Sequence, residues 1–117
     1  MAPQTQMHDD IVSLASNNET VKLNVGGKRY ETSWAVISSV EKLSALAYER
    51  WVEDPEDEIF VDRDGIRFRY CLDYFRDGKV VIPRSETRES ILNDLKYFGV
   101  ASPDTDAIQY AEDFDDG

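Results

Sequence analysis

One cysteine and one histidine in 117 residues leave little with which to build a disulfide, a thiolate metal centre or an imidazole-based catalytic site. The single Cys71 cannot close an internal bridge, which fits a reducing, cytoplasmic compartment. His8 lies in the N-terminal stretch MAPQTQMHDDIVSLASNN, which has neither a basic start nor a long apolar segment and so does not read as a secretory signal. Asn18-Glu19-Thr20, formally a glycosylation sequon, is then expected to be silent. No apolar run approaches the roughly 18 residues needed to cross a bilayer, so no direct membrane insertion is expected. Basic residues are scarce as well: 13 Lys and Arg stand against 24 Asp and Glu, for a net charge of -11. Such a balance argues against nucleic acid as a partner, because neutralising phosphates takes clustered cations.

The negative charge is concentrated at the ends. Residues 1–18 contribute -2 through Asp9 and Asp10. Residues 101–117 contribute -6 and hold no base. The middle, residues 19–100, is close to balance at -3. These compositions predict one small domain over 19–100, flanked by a disordered N-terminal tail over 1–18 and a mobile acidic tail over 101–117.

Within the domain the hydrophobic pattern alternates between strand and helix periods. Val21, Leu23 and Val25 alternate with Lys22 and Asn24, the period of a half-buried strand. Gly26-Gly27 supply a tight turn, with Tyr30 and Thr32 on the returning strand. Thr32 or Ser33 caps a short helix that turns Trp34, Ile37 and Val40 inward. A second helix, KLSALAYERW, carries Leu43, Leu46 and Ala47 at helical spacing. It runs into EDPEDE, residues 53–58, which reads either as a solvated loop or as a recognition loop, since Trp51 and Val52 directly precede it. EIFV is a short strand, and Asp64 caps the helix IRFRYCLDYFRD, whose Phe68, Cys71, Leu72 and Phe75 form one apolar stripe ended by Gly78. Lys79 to Ile82 predict another strand. A last helix from about Glu86 to Phe98 buries Ile91, Leu92, Leu95 and Phe98 and stops at Gly99, with Val100 packed back on its final turn.

No catalytic or ligand-binding constellation emerges. GGK at residues 26–28 lacks the first glycine of a phosphate loop, since position 22 is Lys, and Arg29 stands where Ser or Thr would bind magnesium. VDRDG at 61–65 is not a calcium loop: with Gly65 at position six, the first and twelfth positions are Phe60 and Cys71, and neither ligates. Asp62 and Asp64 flank Arg63, which would hold both ionised rather than poise either as an acid. Cys71 lies on the apolar stripe as a plain buried thiol. No enzyme activity and no cofactor or metal are expected.

The ordered segments LNVGGKRYET, LSALA, IFVDRDGIRFRYCLDYFRDGKVVIP and ILNDLKYFGV together resemble the BTB/POZ domain. The resemblance is to its potassium-channel tetramerisation subtype, shared by voltage-gated channels and soluble KCTD proteins, and it spans about residues 20–100. It implies an α/β fold, a small mixed sheet packed on a cluster of helices, and a self-assembly module. It also implies a homo-oligomer, tetramer or pentamer, with Phe60 to Asp64 and the hairpin around Asn24 near the subunit boundary. The loop from Trp51 to Glu58 corresponds to the place where many BTB proteins engage a cullin ubiquitin-ligase scaffold, and Trp51, Val52, Glu53 and Asp54 are the candidate contacts. The zinc site that several channel subfamilies place between subunits is not expected, because the domain holds one Cys and no His. The chain is thus expected to be an oligomerising interaction module, with a cullin adaptor or the excised tetramerisation domain of a channel as alternatives.

A ring joins two unlike faces of each subunit, and unlike charge suits such a contact. Arg29, Arg63 and Arg67 are therefore expected at the interface together with Asn24, Asp62 and Asp64. In one arrangement Arg63 or Arg67 faces carboxylates of the neighbour; in the other they pair within their own chain, as Arg63 with Asp62 or Arg69 with Asp73.

Overall fold

The structure, a computed structural model, describes residues 20–54 and 56–111. Strand β1 (Thr20–Val25) buries Val21, Leu23 and Val25 and turns Lys22 and Asn24 outward, as the alternation predicts. It forms an antiparallel hairpin with β2 (Lys28–Ser33), in which Val25 opposes Lys28. That register leaves a two-residue turn, and Gly26 and Gly27 take the positive φ values of 58° and 99° that it demands. The Asn24 side-chain oxygen accepts from the Gly27 amide at 2.8 Å and ties the turn down.

Ser33 then caps the short helix α1 (Trp34–Ile37), accepting from the Val36 amide at 3.3 Å. Trp34, Ile37 and Val40 are all buried. Helix α2 (Glu41–Glu53) turns Leu43 and Ala47 inward. Leu46, expected beside them, is instead exposed. Spacing alone could not separate it from Leu43, because both lie within one broad helical arc and the packing partners decide how wide the buried stripe is. The chain returns in β3 (Glu58–Val61), parallel to β1 with Leu23 opposite Ile59, so the sheet order is β2-β1-β3.

Helix α3 (Gly65–Asp77) lays its predicted stripe against this sheet, with Phe68, Cys71 and Leu72 buried and Phe75 partly so. Phe68 sits at the centre of an edge-to-face aromatic cluster, its ring centroid 5.1 Å from Tyr30, 5.3 Å from Phe98 and 6.1 Å from Phe75. Helix α4 (Arg88–Phe98) starts two residues later than expected, because Thr87 provides the cap by accepting from the Ser90 amide at 3.1 Å. It ends at Gly99, where the Val100 amide returns to the Leu95 carbonyl.

The C-terminal boundary expected at residue 100 falls short. After β4 (Val80–Ile82) and α4, residues Thr105–Ala107 make a 3-10 turn, and β5 (Ile108–Tyr110) pairs with β4 in a parallel two-stranded ribbon. Ile108 is fully buried, and the Tyr110 hydroxyl accepts from the Arg88 amide at 3.2 Å. Three residues, IQY, are too few to register against the surrounding acids in a composition average, and one buried isoleucine suffices to dock them. The expected tail over 1–18, including His8 and Asn18, and the expected mobility of residues 112–117 lie outside the described residues.

Candidate oligomer interface and the loop that shapes it

The link between β3 and α3, Asp62-Arg63-Asp64, is held from three sides. The Gly26 amide donates to the Val61 carbonyl at 2.9 Å, which fastens the hairpin turn to the end of β3. The Tyr30 hydroxyl donates to the Gly65 carbonyl at 2.5 Å. Asp64 caps α3, accepting from the Ile66 and Arg67 amides at 2.9 and 3.0 Å, and these donors keep its carboxyl below the usual range, the Arg67 amide most of all. Asp62 is exposed as well.

Both arginines of the motif turn inward. Arg63 donates through Nη2 to one oxygen of Asp94, and Arg67 donates through Nε to the other at 2.9 Å. Asp94 lies on α4 and is only 1% exposed. Arg67 also reaches Asp64 at 3.4 Å, and Arg63 stacks 4.3 Å above the ring of Tyr97, which Lys42 of α2 approaches at 4.2 Å. The carboxylate of Asp94, first of all, pushes the Arg67 guanidinium further up. The result is a charged rivet joining the β3–α3 loop, α3, α4 and α2. In the single chain Arg63 and Arg67 therefore pair internally, with a partner other than either expected one. Asp73 pairs with Arg76 at 3.8 Å rather than with Arg69. Asp94 is the residue that sequence reasoning missed, although its signal is visible: in ILNDLKYF it shares the spacing of Ile91, Leu95 and Phe98, a carboxylate set into an apolar stripe.

The remaining interface candidates lie on the outer face of the three-stranded sheet. Arg29 projects from β2 and pairs with Glu58 of β3 at 2.8 Å. Asn24 makes a long contact to the same carboxylate at 3.5 Å, and Lys22 pairs with Glu56 at 2.7 Å. Amid these polar groups Phe60, opposite Asn24 in the ladder, is 55% exposed, and Ile66 at the start of α3 is 62% exposed. On the other candidate surface, Val52, Glu53 and Asp54 are exposed near the end of α2, while the Trp51 side chain lies outside the described residues. That loop is shaped by its own contacts: Asp54 accepts from the Glu56 amide at 3.0 Å and Arg50 pairs with Asp57 at 3.1 Å.

Among the described residues no group of three or more His, Cys, Asp or Glu could hold a metal ion, and no helix is long and apolar enough to cross a membrane. Burial pushes the Cys71 thiol well above its ordinary value, which suits a packing residue and not a nucleophile. The arrangement offers polar and apolar surface for another protein.

Comparison with known proteins agrees with this reading. Residues 21–108 match the family model described as BTB/POZ domain. The chain is similar to the potassium voltage-gated channel protein Shal of Drosophila melanogaster, 33% identical over an alignment of 106 positions that covers 86% of this chain and 18% of that protein. It is also similar to SH3KBP1-binding protein 1 of Mus musculus, 30% identical over an alignment of 119 positions that covers 98% of this chain and 17% of that protein. The chain thus spans less than a fifth of the length of these relatives. A mixed α/β core, the charged β3–α3 loop and a match over most of the chain converge on one assignment: the chain belongs to the BTB/POZ domain family, in its potassium-channel tetramerisation branch, whose members are protein-interaction and self-association modules.

Proposed function

We propose that this domain joins copies of its own chain into a closed ring of four or five subunits, in the cytoplasm, with the outer face of the β2-β1-β3 sheet as one side of each contact. The observation that carries this reading is Phe60. A phenylalanine more than half exposed on an edge strand, ringed by Asn24, Arg29, Glu58 and Lys22, is the pattern of an apolar anchor inside a polar rim. Asn24, Arg29, Asp62 and Asp64 supply the rim, and Arg63 and Arg67 act from behind by fixing the loop through Asp94. Native mass spectrometry of the wild-type chain is expected to give a single tetrameric or pentameric mass at micromolar concentration, and Phe60→Asp a folded monomer with unchanged circular dichroism. A monomeric wild type, or a Phe60→Asp variant that keeps the ring, would overturn the assignment of this face.

A second reading is favoured by the exposed apolar side chains Leu46 and Val52 on α2. They suit recruitment of a cullin scaffold by Trp51, Val52, Glu53 and Asp54, alongside self-assembly rather than instead of it. Aromatic and apolar anchors at interface centres typically cost about 2 kcal/mol or more when removed. A pulldown with purified cullin is expected to succeed with the wild type and fail with both Trp51→Ala and Val52→Asp. Undiminished capture by both variants removes this loop from consideration.

A further inference from the structure

The β4–β5 ribbon presents a solvent face that no other described element covers. Val80, Ile82 and Ile108 point into the core, so Val81 and Gln109, which are ladder partners, point out, and Val81 is 47% exposed. An open groove of about 760 Å³ runs over this face, with Val80, Val81, Ala107 and Gln109 in it. Its walls carry carboxylates on both sides: Asp73 and Asp77 from α3, Asp104 and Asp106 from the 3-10 turn, against one cation, Lys79. Of these acids Asp104 is occupied in capping the turn and Asp73 makes one long contact to Arg76. Asp77 and Asp106 have no ion pair among the described residues.

We propose that this face docks an extended cationic segment of another protein, in which Lys or Arg alternates with small apolar residues. The charge selects the occupant. Four carboxylates facing one ammonium leave a local excess of three negative charges over an apolar floor, a setting that favours a cationic partner and disfavours a second copy of this acidic chain. A lone divalent cation does not suit it, because no group of three or more carboxylates among the described residues could hold a metal ion. The spacing selects the conformation. Asp73 and Asp77 are one helical turn apart, about 6 Å. Alternate side chains of an extended peptide repeat at about 6.6 Å and fall on one face, so two cations two positions apart can meet Asp73 and Asp77 together.

The test uses the full chain and a labelled peptide, Gly-Arg-Val-Lys-Val-Arg-Gly, followed by fluorescence anisotropy and by amide chemical shifts. The expected result is saturable binding, with shifts confined to residues 73–81 and 104–110. Binding should weaken about tenfold in Asp77→Asn/Asp106→Asn and fall with added salt. The charge-matched variant Glu31→Gln/Glu49→Gln, whose substitutions lie on other surfaces, should bind as the wild type does. Equal loss in both double variants means diffuse attraction to an acidic protein and overturns the proposal. So do shifts elsewhere, displacement of the peptide by millimolar calcium at constant ionic strength, or a change in assembly mass in Asp77→Asn/Asp106→Asn, which would assign the groove to a second copy. The ring can fail its own test without touching this one, because the peptide titration reads out on a monomer equally well.

Discussion

Asp94→Ala is expected to cost about 3 kcal/mol of folding stability, the lower end of the roughly 3–5 kcal/mol typical when one partner of a buried ion pair is removed. The reason is the imbalance left behind. Asp94 is almost completely enclosed and satisfies two guanidinium groups at once, one through each oxygen. Without it, Arg63 and Arg67 face each other across a small cavity, with the exposed Asp64 and, more distantly, Glu86 the carboxylates left near Arg67. Both arginines keep some access to water, which is why the lower end of the range applies. For a domain of this size a loss of 3 kcal/mol lowers the melting temperature by roughly 12–24 °C. Asp62→Ala, which removes a neighbouring exposed carboxylate, should change stability by less than about 0.5 kcal/mol. Urea titration of the two variants beside the wild type decides the matter: if Asp94→Ala lies within 1 kcal/mol of Asp62→Ala, the rivet has no structural weight. Charge reversal at Arg63 or Arg67 acts on the same rivet. It would disturb the fold first, so loss of assembly in those variants would say little about the subunit boundary, and Phe60 is the cleaner probe.

How much of this was legible beforehand depended on whether a feature was local. The hairpin turn, the Asp64 cap, the Gly78 and Gly99 stops and the apolar stripe of α3 all follow from residues within a few positions of one another, and they are found where the pattern puts them. The features that escaped are set by contacts distant in the chain. Arg63 and Arg67 meet a carboxylate 31 and 27 residues away, whereas composition and spacing bring only Asp62 and Asp64 to notice. β5 exists because Ile108 reaches β4 across α4, and no local propensity in a stretch rich in Asp announces that. The exposure of Leu46 is of the same kind. An apolar residue at strand or helix spacing reads as core until the layer that would cover it is known to be missing.

The glycines of GGK and VDRDG join the hairpin to the β3–α3 loop, and Gly26→Ala is expected to be among the most damaging single-methyl changes in the described residues. Two costs add. Gly26 has φ of 58°, a left-handed conformation in which an L side chain costs roughly 1–2 kcal/mol. Its added Cβ would also run into the backbone carbonyl of Arg63, which cannot swing aside as a flexible side chain could. Overpacking of this kind costs roughly 1–3 kcal/mol more. The same close approach recurs from the other side, where a Cβ on Gly65 would meet the Val25 carbonyl, so the two backbones leave no room for adjustment. Gly78→Ala separates the two costs: Gly78 has φ of 75° but open space around it, and should show the conformational part alone. The expected order in chemical denaturation is therefore a loss of about 2–5 kcal/mol for Gly26→Ala against about 1–2 kcal/mol for Gly78→Ala. In proton spectra, Gly26→Ala should further shift the amides of residues 61–67, because the loop that carries Arg63 to Asp94 has to move. Equal losses in the two variants, with the loop amides unmoved, would mean that the hairpin and the loop are not in contact and that each glycine serves only its own turn.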